Sequence, residues 1–154
     1  MTRGSIKVKA FALLLDPTGT RHVVWRGADE TKQPPAFHRL IGGHVEFGES
    51  SSDAIVREVR EELGADLLDP QLLGVLENRF IYHRSPGHEV VFLYTGRLSD
   101  FGTVPNQGAW FADNGEPIWV EWRSLVDEPV DIPLYPEGAT ELLEATAPTR
   151  QEGG

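Results

Sequence analysis

From Gly43 to Ala65 the chain reads GHVEFGESSSDAIVREVREELGA, and no other stretch constrains the fold so tightly. Glu58, Glu61 and Glu62 stand at i, i+3 and i+4. In a helix turning about 100° per residue they share an arc of roughly 100°. Ile55, Val59 and Leu63 occupy the neighbouring arc, which predicts the buried stripe of that helix. Three carboxylates then run along the rim of the core, close together and alike in sign. Such crowding is unfavourable unless a cation joins it, and a hard divalent ion with oxygen ligands, Mg²⁺ above all, suits the donors. A solvated acidic face would also carry three glutamates, but it leaves the flanks of the segment without a reason.

Those flanks are specific. Ser50, Ser51 and Ser52 offer N-cap hydroxyls, Asp53 favours the positive end of the helix dipole, and Gly64 fits the left-handed position that ends a helix. Gly42 and Gly43 predict a tight turn with close backbone approach. Arg57 can pair with Glu61 one turn on, or reach back to Glu49.

The spacing Gly43, five residues, Glu49, seven residues, then Arg57-Glu58-Val59-Arg60-Glu61-Glu62-Leu63-Gly64-Ala65 resembles the Nudix box, GX5EX7REUXEEXGU with U aliphatic. Every fixed position matches, and only Ala65 is small for the final aliphatic. The resemblance implies an α/β/α sandwich with a mixed β-sheet and Mg²⁺-dependent hydrolysis of a diphosphate bond, with Mn²⁺ as an alternative ion. Glu58, Glu61 and Glu62 match the metal-binding glutamates of the box, with Glu58 alternatively the general base. The Gly42 carbonyl matches a further metal ligand. Arg57 and Glu49 match the pair that braces loop and helix, and Gly43 and Gly64 the structural glycines. Glu116, six residues before Trp122, looks like the downstream metal-binding or base glutamate of MutT-type members; the competing reading is a surface acid in a loop. Glu89 is a second candidate for that place. Where many members carry proline before the double glycine, this chain has Ile41. The longer signatures of NADH-type and coenzyme-A-type members are not evident, so the leaving group stays unnamed.

At 154 residues the chain is read as one domain over 1–154, with 147–154 a frayed tail. The net charge of −10 argues against an extended nucleic-acid footprint, and it means that bound cations must invert the local field before a phosphate substrate can approach. There is no cysteine, hence no disulfide, thiolate metal site or cysteine nucleophile. No apolar run reaches membrane-spanning length and no signal-peptide core is evident, so a soluble cytoplasmic protein is expected; a homodimer is left open.

Along the chain, 6–15 reads as a strand running from an edge into a buried sheet, 16–19 as a turn and 22–26 as the returning strand. Residues 28–35 read as loop and 37–41 as a short strand leading into the glycines. Residues 72–83 and 89–98 predict a hairpin turning at 84–87. Residues 99–117, rich in Gly, Pro and Asn, predict a long mobile loop with Trp110 and Phe111 inside it near the substrate. A last strand follows at 118–122, and a second helix at 136–147 opens with Pro136 and faces Leu142 and Leu143 inward. The class is α+β with a mixed sheet between helices.

Outside the box, Arg26 and Arg39 on neighbouring strands are candidates to grip a phosphate, against the alternative of plain surface ion pairs. Tyr82 and Trp110 are candidates to stack on a base, Tyr82 by its distance from the box as in dinucleoside-polyphosphate members; it also alternates like a core strand residue. The five histidines show no ligand spacing. The leading function is a Mg²⁺-dependent hydrolase of a nucleoside diphosphate linked to another moiety, with a small nucleotide-type molecule as partner. Dinucleoside polyphosphates are one specific substrate class. A silent, nucleotide-sensing domain is the alternative from another class, which an eroded box would favour. The isomerase branch acting on isopentenyl diphosphate relies on a catalytic cysteine, which this chain lacks.

Overall fold

A computed structural model of the chain describes residues 4–146. Eight strands form a single sheet: β1 (Lys7–Leu14), β2 (Arg21–Ala28), β3 (Ala36–His44), β4 (Leu67–Tyr82), β5 (Ser85–Leu98), β6 (Ala109–Asp113), β7 (Glu116–Ser124) and the two-residue β8 (Leu134–Tyr135). Their order is β4-β5-β1-β3-β2-β7-β6, with β8 beside β3. Strand pairs β1/β5 and β3/β8 are parallel and the remainder antiparallel, so the sheet is mixed as expected. Helix α1 (Ser51–Leu63) lies on one face and α2 (Ala139–Thr146) on the other.

Each helix closes its own core, because each contributes one apolar stripe to a sheet that is apolar on both sides. Ile55 and Val59 of α1 are fully buried against Ala12, Val23, Ile41 and Val120. On the opposite face, Phe11, Leu13, Val24, Leu40 and Leu93 pack with Ala139, Leu142 and Leu143 of α2. The central strand β3 joins the two halves of the sheet. Its first half pairs with β2 through Val24–Leu40 and its second half with β1 through Ala10–Gly43 and Phe11–Gly42.

Several expectations change in detail. Strand β2 does not form a ladder with β1; the two meet at one bridge, Leu15–His22, and β3 lies between them. Gly42 and Gly43 sit within β3 rather than in a turn, and the chain turns later, at Phe47-Gly48. The β4–β5 hairpin turns at His83-Arg84, both with positive φ (46° and 66°), the geometry of a two-residue turn matched to strand twist. The stretch 99–117 is not one loop. After a short 3₁₀ turn at Phe101–Thr103 it forms β6, which turns through Asn114-Gly115 into β7. Trp110 and Phe111 therefore belong to an ordered strand, not to a mobile loop. The second helix starts at Ala139, three residues after Pro136. The tail at 147–154 lies outside the described residues.

Candidate active site

Helix α1 is fixed at both ends as its sequence predicts. The Ser50 hydroxyl accepts the Asp53 N–H at 3.1 Å, and Gly64, left-handed at φ 67°, donates its N–H to the Arg60 carbonyl at 2.9 Å. With the stripe Ile55-Val59-Leu63 turned into the core, the helix sets Glu58 and Glu62 at its buried rim, 8% and 3% exposed. The Glu61 side chain is 53% exposed.

Arg57 organises the surface of this cluster. It grips Glu49 bidentately at 2.8 and 2.9 Å, donates to the His44 carbonyl at 2.9 Å, and reaches Glu58 at 3.0 Å and Glu61 at 3.1 Å. Every N–H of the guanidinium is thereby used, and the end of β3, the 46–49 turn and α1 become one unit. Hydrogen bonds from Arg57, with help from the Glu46 amide, hold the Glu49 carboxyl down to about 2. The same partners raise Arg57 above its usual value.

Glu62 has no such support. Burial pushes its carboxyl up to about 8; Arg39 opposes the shift, and the charges of Asp113 and Glu58 add to it. The Gly42 amide also faces it, yet the contact falls short of a hydrogen bond and neither carboxylate oxygen has a partner. Burial likewise raises Glu58, against the pull of Arg57. Gly43 makes room for this arrangement: a Cβ there would stand 2.6 Å from the Glu58 carboxyl carbon. That close approach, rather than a turn, is what the double glycine supplies.

Arg39 forms the other wall. Its guanidinium lies 4.6 Å from the Trp25 ring centre and 5.5 Å from that of Phe11, with Nε buried and unpartnered. It borders a cavity of about 200 Å³ lined by Phe11, Trp25, Phe37, Phe80, Tyr82 and Tyr135. Tyr82 stands at the rim, 39% exposed and edge-on to Phe37 at 5.9 Å. Glu89 lies on the same wall, paired with Lys9 at 3.6 Å and accepting from Asn78 at 3.3 Å.

Two predicted residues, Arg26 and Trp110, do not join the cluster. Arg26 and Trp110 both pair across β7 with Trp119, on the sheet face opposite α1. Arg26 is half-exposed and ion-paired to Glu121 at 3.6 Å, while Trp110 is exposed and stacks edge-on to Trp119 at 5.2 Å. Glu116 is exposed at the start of β7. Its cross-strand partner Asp113 is the hairpin acid whose charge bears on Glu58 and Glu62. Sequence reading missed Asp113, although Asn114-Gly115 is a strong hairpin signal that would have placed it.

A divalent cation fits the donors. They are hard oxygens, and the buried Glu62 carboxylate with both oxygens unpartnered is what a cation would satisfy. The acids are not drawn to a common point: among the described residues no three acids or histidines stand in ligand geometry. Arg57 ties Glu58 and Glu61 together through one nitrogen, at 3.0 and 3.1 Å.

Comparison with known proteins identifies the family and the fold. The NUDIX domain model matches residues 6–139. An uncharacterised Nudix hydrolase of Nostoc sp. is 28% identical over 125 residues, covering 75% of this chain and 74% of that protein. An isopentenyl-diphosphate Delta-isomerase of Cutibacterium acnes is 28% identical over 138 residues, covering 85% of this chain and 69% of that one. The crystal structure of a MutT NUDIX hydrolase from Burkholderia pseudomallei shares the fold, with a TM-score of 0.59 at 22% identity over 92% of this chain and 98% of that one. The chain belongs to the NUDIX family and is a pyrophosphohydrolase of that family.

Proposed function

We propose, from that membership, that the chain hydrolyses the diphosphate bond of a nucleoside diphosphate linked to another moiety, with Mg²⁺ as the ion and Mn²⁺ able to replace it. The observation that carries the reading is Glu62: a carboxylate 3% exposed with no hydrogen-bond partner, set beside Glu58 and within reach of Arg39. A buried acid left unpaired costs stability, so its presence here supports a cationic partner in the working protein.

Glu58, Glu61 and Glu62, with the Gly42 carbonyl, would hold the ion, and Asp113 would close the cluster from the β6–β7 hairpin. When bound, the ion neutralises oxygens of the diphosphate and acidifies the attacking water. Water attacks one phosphorus, the bridging P–O bond breaks, and each product leaves as a phosphate. Glu58 is alternatively the group that takes the water proton in place of holding the ion, since burial raises its affinity for one. Arg57 keeps Glu58 and Glu61 in position through the Glu49 brace. Arg39 bridges the acids and the aromatic cavity, where it can meet a phosphate while the attached group enters the rings.

The isomerase among the relatives raises the question of the other chemistry. A chain without cysteine has no thiol for it, whereas every fixed position of the hydrolytic box is present. The test is a phosphate-release screen over nucleoside triphosphates, nucleotide sugars and dinucleoside polyphosphates, with Mg²⁺ and with Mn²⁺. Turnover of at least one class that ceases with excess chelator is expected. Turnover that survives chelation refutes the metal-dependent mechanism, and silence toward all classes favours the sensing alternative.

A further inference from the structure

One edge of the sheet is the five-residue β6; the other is β4, sixteen residues long. Folded proteins protect such edges with short strands, bulges, prolines or charges, because an open edge is a template for another strand. The first half of β4 is protected in this way. Asp69 has φ 51°, Pro70 follows, and register shifts fall between Leu68 and Gln71 and between Leu72 and Gly74. The second half is not. From Gly74 to Tyr82 the ladder with β5 is unbroken, and β4 there has neither proline nor bulge.

The side chains of this open half repeat with period two. Val75 and Ile81 are 54% and 57% exposed, and between them on the same face stand Glu77, with its side chain 67% exposed, and the exposed Arg79. Among the described residues Arg79 makes no ion pair, and Glu77 meets only His88 of β5, at 3.3 Å. The sequence Val75-Leu-Glu-Asn-Arg-Phe-Ile81 is self-complementary about its middle residue, Asn78. Laid antiparallel on a copy of itself, with the dyad at Asn78, it sets Glu77 against the second copy's Arg79 and Val75 against its Ile81. On the other face Leu76 meets Phe80. A dyad at Glu77 would oppose two glutamates, and one at Arg79 two arginines, so like-charge contact disfavours the neighbouring registers.

We propose that this edge is the interface with a second copy of the chain, the two β4 strands pairing antiparallel about Asn78. The inference is independent of the hydrolytic reading. The chain's net charge of −10 opposes self-association in general, which makes the charge-balanced Glu77–Arg79 segment the favourable place for it. Pairing would satisfy the outward backbone groups of 75–81 and cover the exposed valine and isoleucine.

Sedimentation of the full chain over a wide concentration range tests this, with Glu77→Arg, Arg79→Glu and the double exchange as variants. Thermal melts confirm that each variant is folded. The expected result is a dimer that each single reversal weakens by about tenfold or more and the double exchange restores. A chain that is monomeric throughout, a dimer indifferent to the single reversals, or a double exchange that fails to restore pairing each overturns the proposal. Hydrogen exchange of the wild-type protein gives a reading without mutation. Protection of the 75–81 amides that rises with protein concentration is expected, and protection unchanged by dilution across the association range overturns the interface.

Discussion

Glu62→Gln keeps the shape of the side chain and removes its charge, and two opposite effects should follow. In the metal-free protein the folded-state pKa of Glu62 is raised from 4.5 to about 8 by burial. A raised folded value means that the folded chain binds the proton more tightly than the unfolded chain. This contribution is complete below pH 4.5 and is lost as pH rises toward 8. At pH 7 the folded group is still mostly protonated, and the stability it contributes at low pH has fallen by about 3 kcal/mol, at about 1.4 kcal/mol per unit from pH 4.5 upward. The glutamine does not titrate. With excess chelator at pH 7 the variant should be more stable by up to about 3 kcal/mol, roughly 6–12 °C in melting temperature for a chain of this size. The decline between pH 5 and 8 that Glu62 imposes should vanish. Turnover should move the other way. Glu61 is half-exposed and paired with Arg57, so water can stand in for it at a cation, whereas nothing replaces a buried Glu62. At saturating Mg²⁺ the loss for Glu62→Gln should exceed that for Glu61→Gln by at least about tenfold, or about 1.4 kcal/mol of barrier. Equal losses, or metal-free melting curves of wild type and Glu62→Gln that stay parallel across pH, would refute the account of Glu62 as a strained ligand.

Arg57→Lys keeps the charge and loses the bidentate grip on Glu49; stability should fall by about 1–3 kcal/mol in urea titrations, with turnover reduced more than affinity. Gly43→Ala places a methyl 2.6 Å from the Glu58 carboxyl carbon and should reduce turnover by at least about tenfold while the circular dichroism spectrum stays that of the wild type. His22 is fully buried with neither ring nitrogen partnered, and burial lowers its pKa from 6.5 to about 3. It is neutral when folded, so the stability it permits is present above pH 6.5 and lost as pH falls, at about 1.4 kcal/mol per unit. Between pH 7 and pH 5 a His22→Leu variant should gain about 2 kcal/mol relative to wild type in denaturant titrations.

The helix at the centre of the site was legible because its information is local. Spacing set which face of α1 turns inward, so the order Glu62, Glu58, Glu61 from buried to exposed follows from the angle each makes with the Ile55-Val59 stripe. Gly64 and Ser50 cap the helix where their chemistry says they should. The glycines before it were harder. Two glycines signal close backbone approach, but neither that Glu58 is what approaches Gly43 nor that β3 continues through them, because the reason is non-local: Ala10 and Phe11 of β1 take up the pairing. The β6–β7 hairpin is masked in sequence by the surrounding Gly and Pro residues, with the single dipeptide Asn114-Gly115 marking its turn. Side-chain parity in this stretch follows only from the hairpin's register. It is parity that places Phe111 and Asp113 toward α1 and Trp110 away, and that separates Arg26 from the acids by putting it beside Trp119.

The two arginines of the site show why position along a strand or helix decides a role that residue type leaves open. Arg57 has spent all its donors on the protein, so a substrate phosphate would have to break an existing bond to recruit it. Arg39 makes no ion pair among the described residues; it rests on Trp25 and Phe11 with Nε unpartnered, and its charge already acts on Glu62. Placement over aromatic rings holds a guanidinium without consuming its N–H groups. In a chain of net charge −10, an anionic substrate needs a cation with donors to spare. Arg39 meets that need from the wall between the acids and the aromatic cavity, while Arg57 holds the acids still.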